Sequence, residues 1–305
     1  MTFIAKQCHV SLTTVLRVLK SVESQLPQQL KPRSFPEVLM VDEFKSHASY
    51  EDKMSFICAD GETGELVDIL PSRKLDKIIP YFNRSPLEER EKVKFLVTDM
   101  NAAYFQLTKN VFPTAKLIID RFHIVKHLNT AFNDFRVREM KRLITNKKKS
   151  KANKLKSNWK LLLKNQTNIS ISEFKTWRSF PSPKYHLLTE SMVIDRLLSF
   201  SSELKEAYDI FHLLMYHFRN KDDRSFFELL KNLPDSLDTQ FRDKIENLIS
   251  YEEGIRNALK YNFSNGKIEA KNTHIKTLKR VSYGFNSFTN MRIRIFLING
   301  LIKIK

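Results

Sequence analysis

The 305-residue chain carries 52 Lys and Arg against 34 Asp and Glu, a formal charge of +18 with a pI near 9.7, and 42% of its residues are hydrophobic. That apolar content suffices for a core in one large or two ordinary domains, and the positive excess favours a polyanionic partner, nucleic acid ahead of an anionic membrane surface. Two cysteines, Cys8 and Cys58, exclude a disulfide framework or a cysteine-rich zinc site; with no apolar run of membrane-spanning length and no signal-peptide layout in MTFIAKQCHVSL, a soluble intracellular protein is expected.

Residues 4–20, IAKQCHVSLTTVLRVLK, predict a short helix, a tight turn near Cys8 and His9, and a second helix opening at Ser11. Ala5 suits a close helix approach, Val10 plugs the turn, and Val15, Val18 and Leu19 form a buried stripe. This resembles the last two helices of a helix-turn-helix, although an amphipathic pair with no DNA role fits the same residues. Residues 21–37 contain three prolines and predict a linker.

Beyond it the pattern changes to strands. EVLMVDEF, 37–44, predicts a buried strand ending at Asp42 and Glu43, and KMSFICADGETGELVDILP, 53–71, predicts a β-hairpin. A helix follows from Leu75 to about Asn83. Residues 92–112 read as a strand ending at Thr98 and Asp99 and then a helix; 115–137 repeat the design, with a strand ending at Asp120. Residues 135–262 are helical by pattern. In 195–219, Leu197, Leu198, Leu204, Tyr208, Phe211 and Leu214 line one apolar face. From Arg136 to Lys156 ten Lys or Arg accompany one acid, Glu139, a run that reads equally as a solvated helix or loop.

SNGKIEAKNTHIKTLKR, 264–280, contains the last acid of the chain, Glu269, in a tail with nine Lys and Arg. Ser264, Asn265 and Gly266 suit a turn and helix start. Glu269, Asn272, Thr273, Lys276 and Arg280 then share one helical face, beside a face of Ile268, Ile275 and Leu278. Buried strands joined through helices predict a mixed α/β sheet, whose sites gather at the carboxyl ends of central strands. If the strands of Asp42 and Asp99 are neighbours, their carboxylates repel unless a cation lies between them. Magnesium suits such oxygen ligands, with Glu269 as a third ligand beside a DNA backbone. Taken singly, each aspartate reads as a cap and Glu269 as the partner of Lys271 or Lys276.

The motifs VDEF at Asp42, VTDMNAAY at Asp99, DRFHIVKHLN from Asp120 and SNGKIEAKNTHIKTLKRVSYGFNSFTNMRIRI around Glu269 resemble those of DDE transposases of the bacterial ISL-three insertion-sequence group. The resemblance implies an α/β, RNase H-like mixed sheet with a large all-helical insertion, preceded by a partial helix-turn-helix. The expected divisions are 1–34 for the helix-turn-helix and linker, 35–134 for the first catalytic part, 135–262 for the insertion and 263–305 for the last catalytic part. Asp42, Asp99 and Glu269 are implied as catalytic, metal-binding residues holding two Mg2+ or Mn2+ ions for cleavage and strand transfer of insertion-element ends. Lys267, Lys271, Lys276, Lys279, Arg280, Arg292 and Arg294 are expected to contact DNA, while the aromatics Tyr283 and Phe285 are expected to be buried packing residues. Asp120 and His123 fall in an acid-x-x-His motif of such enzymes, and a cap with a core histidine competes with a DNA or metal-supporting role. Trp177 reads as an ordinary packed tryptophan ahead of a base-stacking one.

The family begins with a Cys-rich zinc module and a complete helix-turn-helix, which this sequence lacks, so an N-terminally truncated transposase is expected. A DNA-dependent homo-oligomer in a bacterial cytoplasm, at the nucleoid, follows from the same resemblance. The alternatives are a catalytically silent DNA-binding fragment that regulates an intact transposase, and a structure-specific nuclease.

Overall fold

A computed structural model describes residues 2–25, 34–46, 53–181, 184–285 and 287–301, so much of the expected linker lies outside the described residues. The chain divides into two compact units, Met1–Asp120 with Tyr261–Lys305, and Arg121–Lys260.

The first unit opens with α1 (Thr2–Gln7) and α2 (Leu12–Gln25). Ser11 Oγ accepts the Thr14 N–H at 3.1 Å and caps α2. Ala5 and Val15 are buried as expected, but Val10 is 39% and Val18 55% exposed. The stripe is narrower than its spacing implied, because apolar periodicity marks a face that can be covered and does not supply the cover.

Five strands follow: β1 (Val38–Lys45), β2 (Met54–Asp60), β3 (Leu66–Leu70), β4 (Phe95–Thr98) and β5 (Lys116–Ile119). They form one sheet in the order β3-β2-β1-β4-β5. The first three pair antiparallel and β1, β4 and β5 run parallel. This mixed sheet, with many helices around and between its parts, is the RNase H-like class expected from the sequence. The β2–β3 turn is set by Asp60, whose Oδ1 accepts the N–H groups of Glu62 at 2.7 Å and Thr63 at 3.2 Å, and by Gly64 at φ +74°. The parallel strands need crossovers: α3 (Leu75–Phe82) and α4 (Leu87–Arg90) lead into β4, and α5 (Ala102–Asn110) joins β4 to β5.

Strand alternation puts Leu39 and Val41 of β1 with Phe56, Cys58 and Leu96 in one core, covered by Ile78 and Phe82 of α3 and Tyr104 and Leu107 of α5. Phe82 stands at its centre, with ring centroids 5.7 Å from Phe35, 6.0 Å from Phe56 and 5.1 Å from Phe112.

The second unit contains α6 (Arg121–Thr145), α7 (Lys149–Ser157), α8 (Trp159–Leu162), α9 (Glu190–Leu198), α10 (Ser202–Arg219), α11 (Asp223–Lys231), α12 (Thr239–Glu246) and α13 (Glu252–Lys260). Residues 121–134, grouped with the sheet from the sequence pattern, are the first half of the unbroken α6 and cluster with the helices. The stretch 195–219 is two helices: Ser201 Oγ accepts the Leu204 N–H at 3.0 Å and starts α10 anew. Phe132 stacks on Phe211 at 4.8 Å. Trp177 is half-buried and donates its indole N–H to the Leu188 carbonyl at 2.9 Å. His212 is buried, and its Nε2–H donates to the Leu162 carbonyl oxygen at 3.0 Å. The first unit closes with α14 (Gly266–Val281) and α15 (Phe288–Ile298). No described helix is long and apolar enough to cross a membrane.

Two outcomes are expected. Phe82→Ala removes a fully buried ring and should cost about 3–5 kcal/mol in urea unfolding. Burial outweighs the bond to Leu162 and lowers the His212 pKa from 6.5 to about 4. Between those pH values the unfolded chain binds a proton at this site that the folded chain refuses, so stability falls as pH falls, by up to about 3 kcal/mol. The fall should be shallower in His212→Gln, followed by denaturant titration at several pH values.

Candidate active site

The parallel ladders fix where the acids stand. Met40 pairs with Val97, and Thr98 pairs with Ile119. Continued in the same register, Asp42 falls opposite Asp99 and Asp99 opposite Asp120. The Asp120 N–H donates to the Thr98 carbonyl at 2.8 Å, which carries the second ladder that far. Asp99 and Asp120 thus follow directly on the carboxyl ends of β4 and β5, where sites of such sheets collect, whereas Asp42, expected at the end of its strand, lies inside β1, which pairing with β2 carries on to Lys45.

Asp42 is half-buried and held at both oxygens: Oδ1 accepts the Glu43 N–H at 2.7 Å and Oδ2 accepts the Asn272 side-chain N–H at 2.7 Å. Asp99, also half-buried, accepts the Asn101 N–H at 3.0 Å, while Asn101 caps α5 by accepting the Ala103 N–H at 3.1 Å. The helix cap is therefore Asn101, and Asp99 shapes the turn before it. Asp120 is 2% exposed. Glu43 alternates to the other face of β1, where it takes two bonds of 2.8 Å from Arg73 and one of 3.4 Å from the Tyr104 hydroxyl. Burial first, then the charges of Glu43, Asp99 and Asp42, raise the Tyr104 phenol far above its ordinary pKa.

Helix α14 packs on β1 with Ile268, Asn272 and Ile275 buried and Glu269 exposed in its first turn. An acid there is favoured by the helix dipole. Lysines fasten the helix. Lys267 Nζ donates to the hairpin carbonyls of Gly61, at 3.1 Å, and Glu62. Lys271 Nζ donates to Asn299 Oδ1 at 2.7 Å, and Lys279 Nζ to the carbonyls of Ser46, at 2.9 Å, and Lys45. Burial, then the charge of Lys45, lowers the Lys279 pKa. Lys276 and Arg280 are exposed on the same helix.

The cations of α15 are also engaged. Arg292 forms an ion pair of 2.6 Å with Asp68, which is 1% exposed and accepts the Tyr81 hydroxyl as well. Arg294 donates to Ser282 Oγ at 3.0 Å and lies over the Phe285 ring at 5.3 Å, and burial lowers its pKa. Phe285 is buried, as the packing reading expected, whereas Tyr283 is fully exposed at φ +53°. A tight turn after α14 directs that ring outward.

Glu269 and Asp120 offer carboxylate oxygens within 4.8 Å of each other. Asp42, Asp99 and Glu269 are not a described set whose ligand atoms all lie within that distance. A single chelated ion needs such mutual closeness; two ions about 4 Å apart do not, because each carboxylate need reach only one of them. His123, three residues beyond Asp120, lies in the first turn of α6 and is half-buried in the helical unit.

The sequence model of a family described as transposase, the DDE type of the ISL3 (ISL-three) group, matches residues 39–295. Over 250 residues the chain is 22% identical to the transposase for insertion sequence element IS1001 of Bordetella parapertussis, covering 82% of this chain and 57% of that protein. Over 116 residues it is 40% identical to a protein of Lactococcus lactis subsp. lactis named ATP-dependent protease, covering 37% of this chain and 36% of that protein. The chain thus spans between about a third and somewhat over half the length of these curated relatives. Its six glycines include no G-x-x-x-x-G-K-[ST] nucleotide loop.

Arg292→Met tests the Asp68 pair. Removing the cation from a nearly inaccessible carboxylate is expected to destabilise the chain by about 3–5 kcal/mol in denaturant unfolding; Arg280→Met, at an exposed site, should cost about 0.5 kcal/mol or less.

Proposed function

The chain belongs to the ISL3 family of DDE transposases, and from that premise we propose that it cleaves DNA at the ends of an insertion element and joins the freed strand to new DNA. Asp42, Asp99 and Glu269 are the proposed catalytic acids, with Asp120 as an accessory carboxylate beside Glu269 and His123 as a second accessory. What carries this reading is the register that aligns Asp42 with Asp99, together with the bond of 2.7 Å from Asn272 of the Glu269 helix to Asp42.

The residues suit divalent cations. Their donors are hard carboxylate oxygens, the preference of Mg2+ and Mn2+. Neighbouring carboxylates favour a cation between them, and Asn272 Oδ1 is a buried acceptor without a partner. When bound, two such ions would supply Lewis-acid stabilisation of the attacking and departing oxygens in an in-line displacement at phosphorus. Asp42, pinned at both oxygens, holds one fixed orientation, which limits the reorganisation the reaction requires. The attacking group is water for cleavage and a DNA 3′-hydroxyl for joining; one P–O bond forms as another breaks, with no protein-bound intermediate. Lys276 and Arg280, exposed on the Glu269 helix, are suited to DNA phosphates, whereas Lys267, Lys271, Lys279 and Arg292 are proposed to orient the elements that carry the acids. Action as a homo-oligomer on DNA, at the nucleoid of a bacterium, belongs to the same proposal.

A supercoiled plasmid carrying the DNA that flanks the gene, with any inverted repeats in it, tests the reading. Nicking is expected with Mg2+ or Mn2+, none with EDTA, and Asp99→Ala should match the EDTA control. Nicking that survives in Asp99→Ala and in Glu269→Ala would falsify the assignment. DNA binding by the unaltered chain with no nicking in either metal would leave the silent binding fragment as the function. Affinity should also fall steeply with salt, and Lys276→Ala with Arg280→Ala should reduce the log–log salt slope by about one for each phosphate no longer neutralised.

A further inference from the structure

Asn272 stands one turn beyond Glu269 on α14 and is only 6% exposed. Its neighbours on the buried face of the helix, Ile268 and Ile275, are apolar packing residues, so an amide there needs a reason. Its Nδ2 donates to Asp42 Oδ2 at 2.7 Å. An ionised carboxylate only accepts, so the nitrogen of the amide must face Asp42 and the oxygen must face away. That oxygen is enclosed and has no hydrogen-bond partner. Buried acceptors in folded proteins are almost always paired. Other buried polar atoms of the chain share this state, Ser46 Oγ and Asn265 Oδ1 among them, but this carbonyl belongs to the side chain that bonds a proposed catalytic acid, where a ligand would bring a donor.

We infer that Asn272 is a positioning residue for the metal-binding acids: its N–H fixes the Asp42 carboxylate, and its Oδ1 accepts a hydrogen bond from water carried in by the bound divalent ion. The inference rests on the metal-dependent reading above and adds a residue to it. With the Glu43 N–H on Oδ1 and Asn272 on Oδ2, the rotation of the Asp42 carboxylate is set before any cation arrives. Partners of this kind around a metal ligand commonly change metal affinity by roughly 10–100-fold when removed. Asn272 also links the acid on β1 to the helix that bears Glu269, a helix that Lys267, Lys271 and Lys279 fasten independently.

The test is Mn2+ binding by the full chain without DNA, read from the electron paramagnetic resonance signal of free Mn2+ and independent of catalysis. Asn272→Ala is expected to weaken Mn2+ binding about tenfold or more. Asn272→Leu keeps the volume of the buried site, loses both polar groups, and should weaken binding equally while the metal-free melting temperature stays near that of the unaltered chain. A merely structural asparagine would move the melting temperature and leave the Mn2+ affinity of the folded fraction alone. Unchanged Mn2+ affinity in Asn272→Leu, with binding lost in Asp42→Ala, overturns the role of Asn272 and keeps the metal site. Failure of the unaltered chain to bind Mn2+, or unchanged binding in Asp42→Ala, overturns the metal site and this inference with it.

Discussion

The register of the parallel strands is the constraint around which the first unit is organised. Parallel pairing of β1, β4 and β5 sets the level at which the chain reaches Asp42, Asp99 and Asp120, because a shift of one residue would turn every side chain of a strand to the other face. The buried residues of these strands, Leu39, Val41, Leu96, Val97, Ile118 and Ile119, resist such a shift. Hydrophobic burial thus fixes the strands that carry the proposed acids, and the proposed chemistry draws on that placement.

A helix must then deliver the remaining acid. The seating of α14 is polar at several points: Lys267 ties it to the β2–β3 turn, Lys279 to the end of β1, Lys271 to Asn299, and Asn272 to Asp42. Charge-assisted bonds are directional, so they specify the rotation of the helix about its axis more tightly than Ile268 and Ile275 alone would. Glu269 is consequently exposed on a helix whose neighbours are locked, an arrangement that suits the role proposed for it beside cations and DNA.

This use of lysine and arginine changes the meaning of the net charge of +18. A positive total suggests a surface prepared for a polyanion, yet several cations of α14 and α15 bond carbonyls or carboxylates of their own unit. Arg292 serves a buried aspartate, and Arg294 a hydroxyl and an aromatic face. The cations on α14 suited to phosphate are those, such as Lys276 and Arg280, that point outward.

The strands, the hairpin, most of the helices and the strand-end positions of Asp99 and Asp120 were legible in the sequence, because alternation, helical spacing and turn residues act over a few neighbours; the run of β1 past Asp42 to Lys45 was not, because pairing with β2 sustains it. The shared face of Glu269 and Asn272 was legible for the same reason. The break before α10 had a local signal as well, Ser201 at a cap position, which the continuous apolar spacing of 195–219 concealed. Tertiary structure alone decided that Asp120 approaches Glu269, that Asn272 grips Asp42, that Val18 and Tyr283 are left exposed, and that Lys267, Lys279 and Arg292 have internal partners. Each of these depends on groups more than a hundred residues apart, or on which surfaces find a cover. Periodicity states which way a side chain points along its own element; what it meets there is fixed only when the elements pack.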